Sequence, residues 1–139
     1  PTNRPNIAGP AYAFIRTAGV WSQQAYLKPS NTGPGQNFSG ILTLAGDILA
    51  VGARLEDSDA TGINGDGGNS NAPDSGAVYV FSRSGGTWAQ KAYLKASNTT
   101  AGAQFGDALA LSGSSLAVGA WYDSNIAPKS GAVYVFDGL

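Results

Sequence analysis

Short apolar segments alternate with turns rich in Gly, Ser and Asn along the chain, and this pattern predicts β-strands. From Ala77 to Phe81, β-branched and aromatic residues run together, bounded by Gly76 and by Ser84-Gly85-Gly86. The next segment, Thr87 to Lys95, alternates between two faces, so the two segments predict an antiparallel hairpin. No window of about 11 residues keeps an apolar helical stripe. We therefore expect an all-β protein.

The strand pattern occurs twice. The string WSQQAYLK, which begins at Trp21, returns as WAQKAYLK from Trp88, 67 residues later. The string SGAVYVF begins at Ser75 and again at Ser130, only 55 residues later. The first copy therefore carries 12 extra residues, all between positions 55 and 72. Repetition at such a period is typical of similar supersecondary units that pack side by side.

Each repeat predicts four short antiparallel strands, FGDALAL, SLAVGA, GAVYVF and WxQxAYLK, and such a unit has the size of a β-propeller blade. A β-sandwich or a β-solenoid is the alternative, but a long loop at one constant place favours radial blades. We predict about two antiparallel four-stranded blades: the last two strands of one blade, a complete blade, and three strands of another. The repeat region spans 1–139, with a first repeat at about 9–76, a second at 77–131, and the start of a third at 132–139.

Composition and charge exclude several classes. The chain has 139 residues, 42% of them apolar, which is enough for one packed domain. Only 12% are charged and the net charge is −1, so we expect no nucleic-acid partner. No apolar run reaches the roughly 20 residues of a membrane-spanning helix, so we expect no membrane insertion. With neither Cys nor His, an enzyme would depend on carboxylates alone, and no motif places an acid pair. We predict that the protein is not an enzyme.

Several strings of the second copy resemble the FG-GAP repeat: Phe105-Gly106, Gly119-Ala120, Asp123-Ser124-Asn125 and the SGAVYVF string from Ser130. The resemblance extends over nearly the whole chain from about Gly9. It implies the β-propeller found in integrin α subunits and in many bacterial and other surface or secreted proteins. From it we expect an extracellular or cell-surface binding or adhesion module.

The chain departs from the FG-GAP pattern at turn positions. The first copy has Phe38-Ser39 where Phe-Gly is expected. The Pro of the Gly-Ala-Pro element is replaced by Arg54 in one copy and by Trp121 in the other. These departures concern the local turn geometry more than the fold.

The extra residues of the first copy contain the candidate metal site. Integrin FG-GAP repeats carry a calcium loop of the form D-x-D-x-D-G-x-x-D. Here Asp57, Asp59 and Thr61-Gly62 match its first, third, fifth and sixth places, whereas Asp66 comes one residue late. The resemblance thus implies a Ca²⁺ site built from Asp57, Asp59, Thr61 and Asp66, because calcium prefers oxygen ligands. The alternative is a solvated loop whose Asn64-Gly65 makes a tight turn. The second copy lacks these extra residues, and no full calcium site is expected there.

The aromatic residues divide into two groups. Trp21 and Trp88 recur at equivalent positions, so we expect them to fill the interface between blades and not to stack on a sugar. Trp121 has Arg54 as its counterpart, so the architecture does not require an aromatic residue there. Trp121 is therefore the candidate ligand-binding residue.

Two blades are fewer than the four to eight of typical closed propellers, and they leave sheet edges open. Either the chain is part of a longer one, or several copies form a homo-oligomer. We predict a non-catalytic extracellular or cell-surface (secreted) module that binds a protein or carbohydrate ligand. The alternatives are a lectin-like propeller formed by oligomerisation and a structural subunit of an extracellular filament or scaffold.

Overall fold

The computed structural model describes residues 9–139, which form nine β-strands and no helix. The strands are β1 (Ala11–Thr17), β2 (Val20–Leu27), β3 (Phe38–Ala45), β4 (Ile48–Ala53), β5 (Ala77–Ser84), β6 (Thr87–Leu94), β7 (Phe105–Ser112), β8 (Ser115–Ala120) and β9 (Ala132–Phe136). In this part of the chain, no helix is long and apolar enough to cross a membrane.

The strands form three antiparallel sheets, which we call the first, second and third sheets. The first contains β1 and β2, the second β3 to β6 in sequence order, and the third β7 to β9. The second sheet is a complete four-stranded blade. By the sequence repeat, the first sheet corresponds to its last two strands and the third sheet to its first three. The predicted all-β architecture of propeller-type blades is confirmed.

Two apolar clusters lie on opposite faces of the second sheet, and β5 contributes to both because successive side chains of a strand point to opposite faces. The first cluster joins the first and second sheets and includes Leu27, Phe38, Val51, Tyr79 and Phe81. The second cluster joins the second and third sheets and includes Val78, Val80, Leu94, Phe105 and Val118. The second sheet is thus covered on both faces.

The junction between the second and third sheets depends on glycine. A Cβ atom on Gly76 would overlap the backbone of Phe105, and one on Gly52 would overlap the carbonyl oxygen of Gly106. The backbone N–H of Phe105 donates to the carbonyl oxygen of Ser75 at 2.9 Å. These contacts explain why Phe105-Gly106, at the start of one blade, requires glycines at the facing positions of the preceding blade.

The same junction recurs one blade earlier, where Phe38-Ser39 replaces Phe-Gly. A Cβ on Gly9 would lie 3.3 Å from Ser39 Oγ and 3.9 Å from the carbonyl oxygen of Phe38. Ser39 adopts a φ of 69°, and its counterpart Gly106 a φ of 90°. The departure therefore keeps the left-handed backbone, although a non-glycine residue is strained there.

The repeated tryptophans do not share one environment. Trp88 packs partly buried against the first cluster, and its Nε1 donates to Gln24 Oε1 at 2.8 Å. Trp21 is 65% exposed, so within residues 9–139 it fills no interface between blades, and its predicted place in one stays a prediction. The reason is positional: Trp88 lies between two sheets, whereas Trp21 lies on the first sheet, on which no other sheet packs from outside within residues 9–139.

Candidate functional site

Each repeat places one buried carboxylate in the loop between its second and third strands. Glu56 follows β4, and Asp123 follows β8; they are 0% and 2% exposed. The two loops close alike, because the carbonyl oxygens of Glu56 and Asp123 accept from the N–H groups of Gly76 at 2.9 Å and Gly131 at 3.0 Å. The repeat therefore builds the same carboxylate position twice.

In the first repeat, an asparagine and a tyrosine hold one side of the carboxylate. Asn31 Nδ2 donates to Glu56 Oε1 at 3.4 Å and to the carbonyl oxygen of Gly67 at 2.9 Å. The Tyr79 hydroxyl donates to Asn31 Oδ1 at 2.6 Å. Burial, and secondarily the charge of Glu56, raises the pKa of Tyr79, so its phenol stays protonated.

Lys95, directly after β6, holds the other side. Its Nζ donates to Glu56 Oε2 at 2.7 Å and to Ser75 Oγ at 2.7 Å. The Lys95 and Glu56 side chains are 0% and 1% exposed. Burial lowers the pKa of Lys95, while the carboxylate of Glu56, followed by those of Asp57 and Asp59, opposes that shift. The pair is a buried ion pair whose remaining polar atoms have partners.

Ser58 and Tyr93 complete the pocket of the first repeat. Ser58 Oγ lies 2.7 Å from the Tyr93 hydroxyl and donates to Glu56 Oε2 at 3.3 Å. Burial raises the pKa of Tyr93. We call Asn31, Glu56, Ser58, Ser75, Tyr79, Tyr93 and Lys95 the carboxylate pocket. Sequence reasoning did not single out Lys95, although its place in the repeated string WAQKAYLK, where Lys28 is its counterpart, was visible.

The extra residues of the first repeat cover the outer edge of β6. Ile63 forms an isolated antiparallel bridge with Leu94. The N–H of Asn64 donates to the carbonyl oxygen of Tyr93 at 2.7 Å, and the N–H of Lys95 donates to that of Gly62 at 2.8 Å. The insertion therefore acts as a short added strand, which protects an edge and encloses Lys95.

The structure places the predicted calcium ligands in one loop but gives them separate partners. Asp57 Oδ1 accepts from the N–H of Asp74 at 2.8 Å. Asp59 Oδ2 accepts from Asn71 Nδ2 at 3.0 Å, and Asp66 Oδ1 accepts from the N–H of Gly68 at 2.9 Å. Thr61 is exposed. Between residues 9 and 139, no three acidic, His or Cys side chains converge as a metal site. As arranged, Asp57, Asp59, Thr61 and Asp66 do not fit calcium.

The second repeat keeps the carboxylate without the lysine. The Tyr134 hydroxyl lies 2.8 Å from Asp123 Oδ2 and 2.5 Å from Asn98 Oδ1. The N–H of Asn125 donates to Asp123 Oδ1 at 3.0 Å. Burial first, and then the hydrogen bond to Asp123, raises the pKa of Tyr134 to about 12. Over the described residues β9 pairs only with β8, so no fourth strand brings a lysine to this carboxylate.

Besides the carboxylate pocket, a second candidate site is the face of the third sheet that points away from the second sheet. Val133 and Val135 are 71% and 65% exposed, whereas their counterparts Val78 and Val80 are 0% exposed beneath the third sheet. We call the surface around Val133 and Val135 the open face. Trp121 is 69% exposed beside it.

A groove of about 520 Å³ runs along the open face. Its lining combines apolar and polar residues: Asp107, Ala108, Gly119, Ala120, Trp121, Ser130, Gly131, Ala132 and Val133. The predicted ligand-binding residue therefore lies in a groove that has room for a ligand. The carboxylate pocket is closed to ligands, because its Ser75 and Lys95 are fully buried. Ser75 Oγ also donates to the carbonyl oxygen of Ser58 at 2.9 Å.

Antiparallel sheets, one of them a complete four-stranded blade, that pack face to face through repeated glycine junctions define a β-propeller-type repeat protein. The family model described as FG-GAP repeat matches residues 21–81 and 88–136. The chain belongs to the FG-GAP repeat family. No curated protein matches it.

Proposed function

We propose that this chain is a non-catalytic binding module of an extracellular or cell-surface protein, and that it associates through its open face with a second copy. The observation that carries the proposal is the contrast between equivalent valines. Val78 and Val80 are 0% exposed, and Val133 and Val135 are 71% and 65% exposed. Full burial of a valine side chain is worth about 1.5–3 kcal/mol. The same surface is therefore an interface in one repeat and uncovered in the next.

The junctions within the chain indicate what fits this surface. In both, the start of a blade, Phe38-Ser39 or Phe105-Gly106, lies against glycine of the preceding sheet. The third sheet offers the counterparts Gly119 and Gly131, which have no blade start against them among residues 9–139. Both blade starts of residues 9–139 already lie against glycines of their own chain, so a second copy offers the uncovered face of its first sheet, where Tyr12, Trp21 and Tyr26 are 52%, 65% and 54% exposed. Association through unlike surfaces gives either a closed ring or a filament.

Light scattering during size-exclusion chromatography tests the proposal. We expect the 139-residue chain to give a mass that is a multiple of the monomer's. Changing Val133 and Val135 together to Lys places two charges on the open face and should yield the monomer. Ile63→Lys is the matched control, because Ile63 is 58% exposed on the insertion and lies outside the third sheet.

If the well-folded wild-type chain stays monomeric at about 0.1 mM, self-association with a dissociation constant below about that concentration is overturned. That result would leave the open face to a further blade of a longer chain. Electron microscopy of the oligomer distinguishes a ring, as expected for a binding module, from a filament, as expected for a scaffold subunit.

Carbohydrate binding is the second candidate, and the groove beside Trp121 favours it. The Trp121 and Tyr122 ring centroids lie 6.3 Å apart at an interplanar angle of 35°. Asp107 and Ser130 supply polar atoms in the same groove. Exposed aromatic faces beside hydrogen-bonding groups suit sugar rings, which have both apolar faces and hydroxyls. A glycan array with wild type and Trp121→Ala tests this candidate: signals lost in the variant support it, and a blank wild-type array contradicts it.

A further inference from the structure

We infer that the acidic loop of the first repeat is organised around the protein's own ammonium group, that of Lys95, and folds without calcium. The loop runs from the end of β4 to the start of β5 and contains Glu56, Asp57, Asp59, Asp66 and Asp74. Its sequence matches most of a calcium loop, but its geometry differs from one.

The positive charge inside the loop comes from the protein. Lys95 reaches in from the end of β6 and donates to Glu56 Oε2 and Ser75 Oγ, both at 2.7 Å. Ser75 and Glu56 belong to the two ends of the loop, so the ammonium ties the ends together. The charge of Lys95 is balanced locally by Glu56, and both side chains are excluded from water.

The other loop carboxylates act as hydrogen-bond acceptors within the loop. Asp57, Asp59 and Asp66 each accept from a different donor, so their oxygens do not form one shell. Calcium needs about six to eight oxygens at about 2.3–2.6 Å. A divalent cation would also be repelled by the buried ammonium, because screening is weak where water is excluded.

The loop backbone is attached to the strand that carries the lysine. The N–H of Gly62 donates to the carbonyl oxygen of Ala96 at 3.3 Å, and the N–H of Lys95 donates to that of Gly62 at 2.8 Å. Asn64 Oδ1 accepts from the N–H of Tyr93 at 2.9 Å. Folding of the loop and burial of the lysine are therefore one event, and no external ion is required to drive it.

Calcium titration of the wild-type chain is the first test. We expect no heat of binding up to about 10 mM Ca²⁺, which exceeds the dissociation constants of weak extracellular sites. We also expect the melting temperature to change by less than about 1 °C between calcium and chelator, because a ligand that binds the native state would raise it. Saturable binding together with a lower melting temperature in chelator would overturn the inference.

Variants test the role assigned to Lys95. In Lys95→Gln we expect a melting temperature lower by about 10 °C or more, since an uncompensated buried carboxylate remains. Lys91→Gln is the matched control, because Lys91 is exposed on β6, the strand that Lys95 directly follows. If Lys95→Gln melts like the control, the inference is wrong.

A triple variant keeps the inference testable if Lys95→Gln does not fold. Changing Asp57, Asp59 and Asp66 together to Asn removes the predicted calcium ligands' charges but keeps an acceptor oxygen at each position. We expect a folded protein with a melting temperature within about 5 °C of wild type, since the charges lost are exposed at Asp59 and Asp66 and half-buried at Asp57. The inference is contradicted if the triple variant is unfolded and calcium stabilises the wild type.

Discussion

The two carboxylate positions show how one repeat buries a carboxylate with an ammonium partner in one copy and without one in the other. Both keep an asparagine and a tyrosine beside the carboxylate, Asn31 and Tyr79 in the first repeat, Asn98 and Tyr134 in the second. Only the first receives an ammonium group, from Lys95. The difference has two sources: a fourth strand that carries the lysine, and an insertion that covers it. The constant residues hold a buried carboxylate, and the variable ones decide whether a buried cation pairs with it.

Exchange of the two acids for amides should give the largest contrast. In Glu56→Gln the Lys95 ammonium remains buried without a counter-charge, so we expect the free energy of unfolding to fall by about 3–5 kcal/mol. In Asp123→Asn no buried cation is left behind, and we expect a loss of about 1–3 kcal/mol. Urea denaturation of both variants measures the contrast. Equal losses would mean that the lysine adds nothing to the first pocket.

The glycine junctions provide a matched pair of the next size. Gly76 and Gly131 have φ values of 83° and 71°, so alanine carries a similar backbone strain at both. At Gly76 the added Cβ overlaps Phe105 backbone, whereas at Gly131 the nearest atom, the carbonyl oxygen of Trp121, is 3.3 Å away. We expect Gly76→Ala to lose about 1–3 kcal/mol more stability than Gly131→Ala, by the cost of overpacking. Thermal melts of both variants check this difference, and an equally large loss for Gly131→Ala would mean that the overlap with Phe105 adds nothing to the cost at Gly76.

Alkaline pH should weaken the fold through the buried tyrosines. The pKa values of Tyr79 and Tyr93 are raised by burial, so above about pH 10, where unfolded tyrosine ionises, ionisation favours the unfolded state. Stability from these groups is present below that pH and is lost as pH rises, by up to about 1.4 kcal/mol per pH unit for each phenol. Lys95, whose pKa is lowered, acts in the opposite direction up to about pH 10.4, but it is one group against two.

Phenolate absorbance recorded against pH measures this effect. Tyr134, with a pKa of about 12, should ionise before Tyr79 and Tyr93, which should ionise only as the chain unfolds. The variants Tyr134→Phe, Tyr79→Phe and Tyr93→Phe assign the steps. Ionisation of Tyr79 and Tyr93 in the folded protein near pH 10 would show that the first pocket is open to water.

The smallest expected effect concerns Arg54 and its counterpart Trp121. Arg54 Nη1 lies 3.2 Å from Asp107 Oδ1 across the junction, with the two side chains 47% and 21% exposed. An ion pair of this exposure contributes below about 1 kcal/mol, so Arg54→Ala should change stability by no more than that. Trp121→Ala should change monomer stability as little, because the ring is 69% exposed. A large loss in urea denaturation for Trp121→Ala would show that the ring is packed.

The strand pattern and the repeat were sufficient to predict the sheets, because alternation and turn glycines act locally. The positions of Trp121 and of the acidic loop were also visible, since they are where the copies differ. The partner of Glu56 was not, because Lys95 lies 39 residues away and is brought to it only by β6 packing beside the insertion. The calcium site inferred from the motif match at Asp57 and Asp59 stays a prediction, because spacing along a loop does not fix where its oxygens point.

A charged lysine, Lys95, lies buried in the carboxylate pocket. NMR of the ¹⁵N-labelled lysine side chains tests directly whether this ammonium group is present. A water-exposed ammonium exchanges its protons too fast for detection at neutral pH, whereas one that is buried and donates hydrogen bonds at 2.7 Å to Glu56 and Ser75 is protected. We expect a protected ammonium signal near pH 7 that is missing in Lys95→Gln and retained in Lys91→Gln. A spectrum without such a signal, or one in which it survives Lys95→Gln, would show that no charged Lys95 is buried in the pocket.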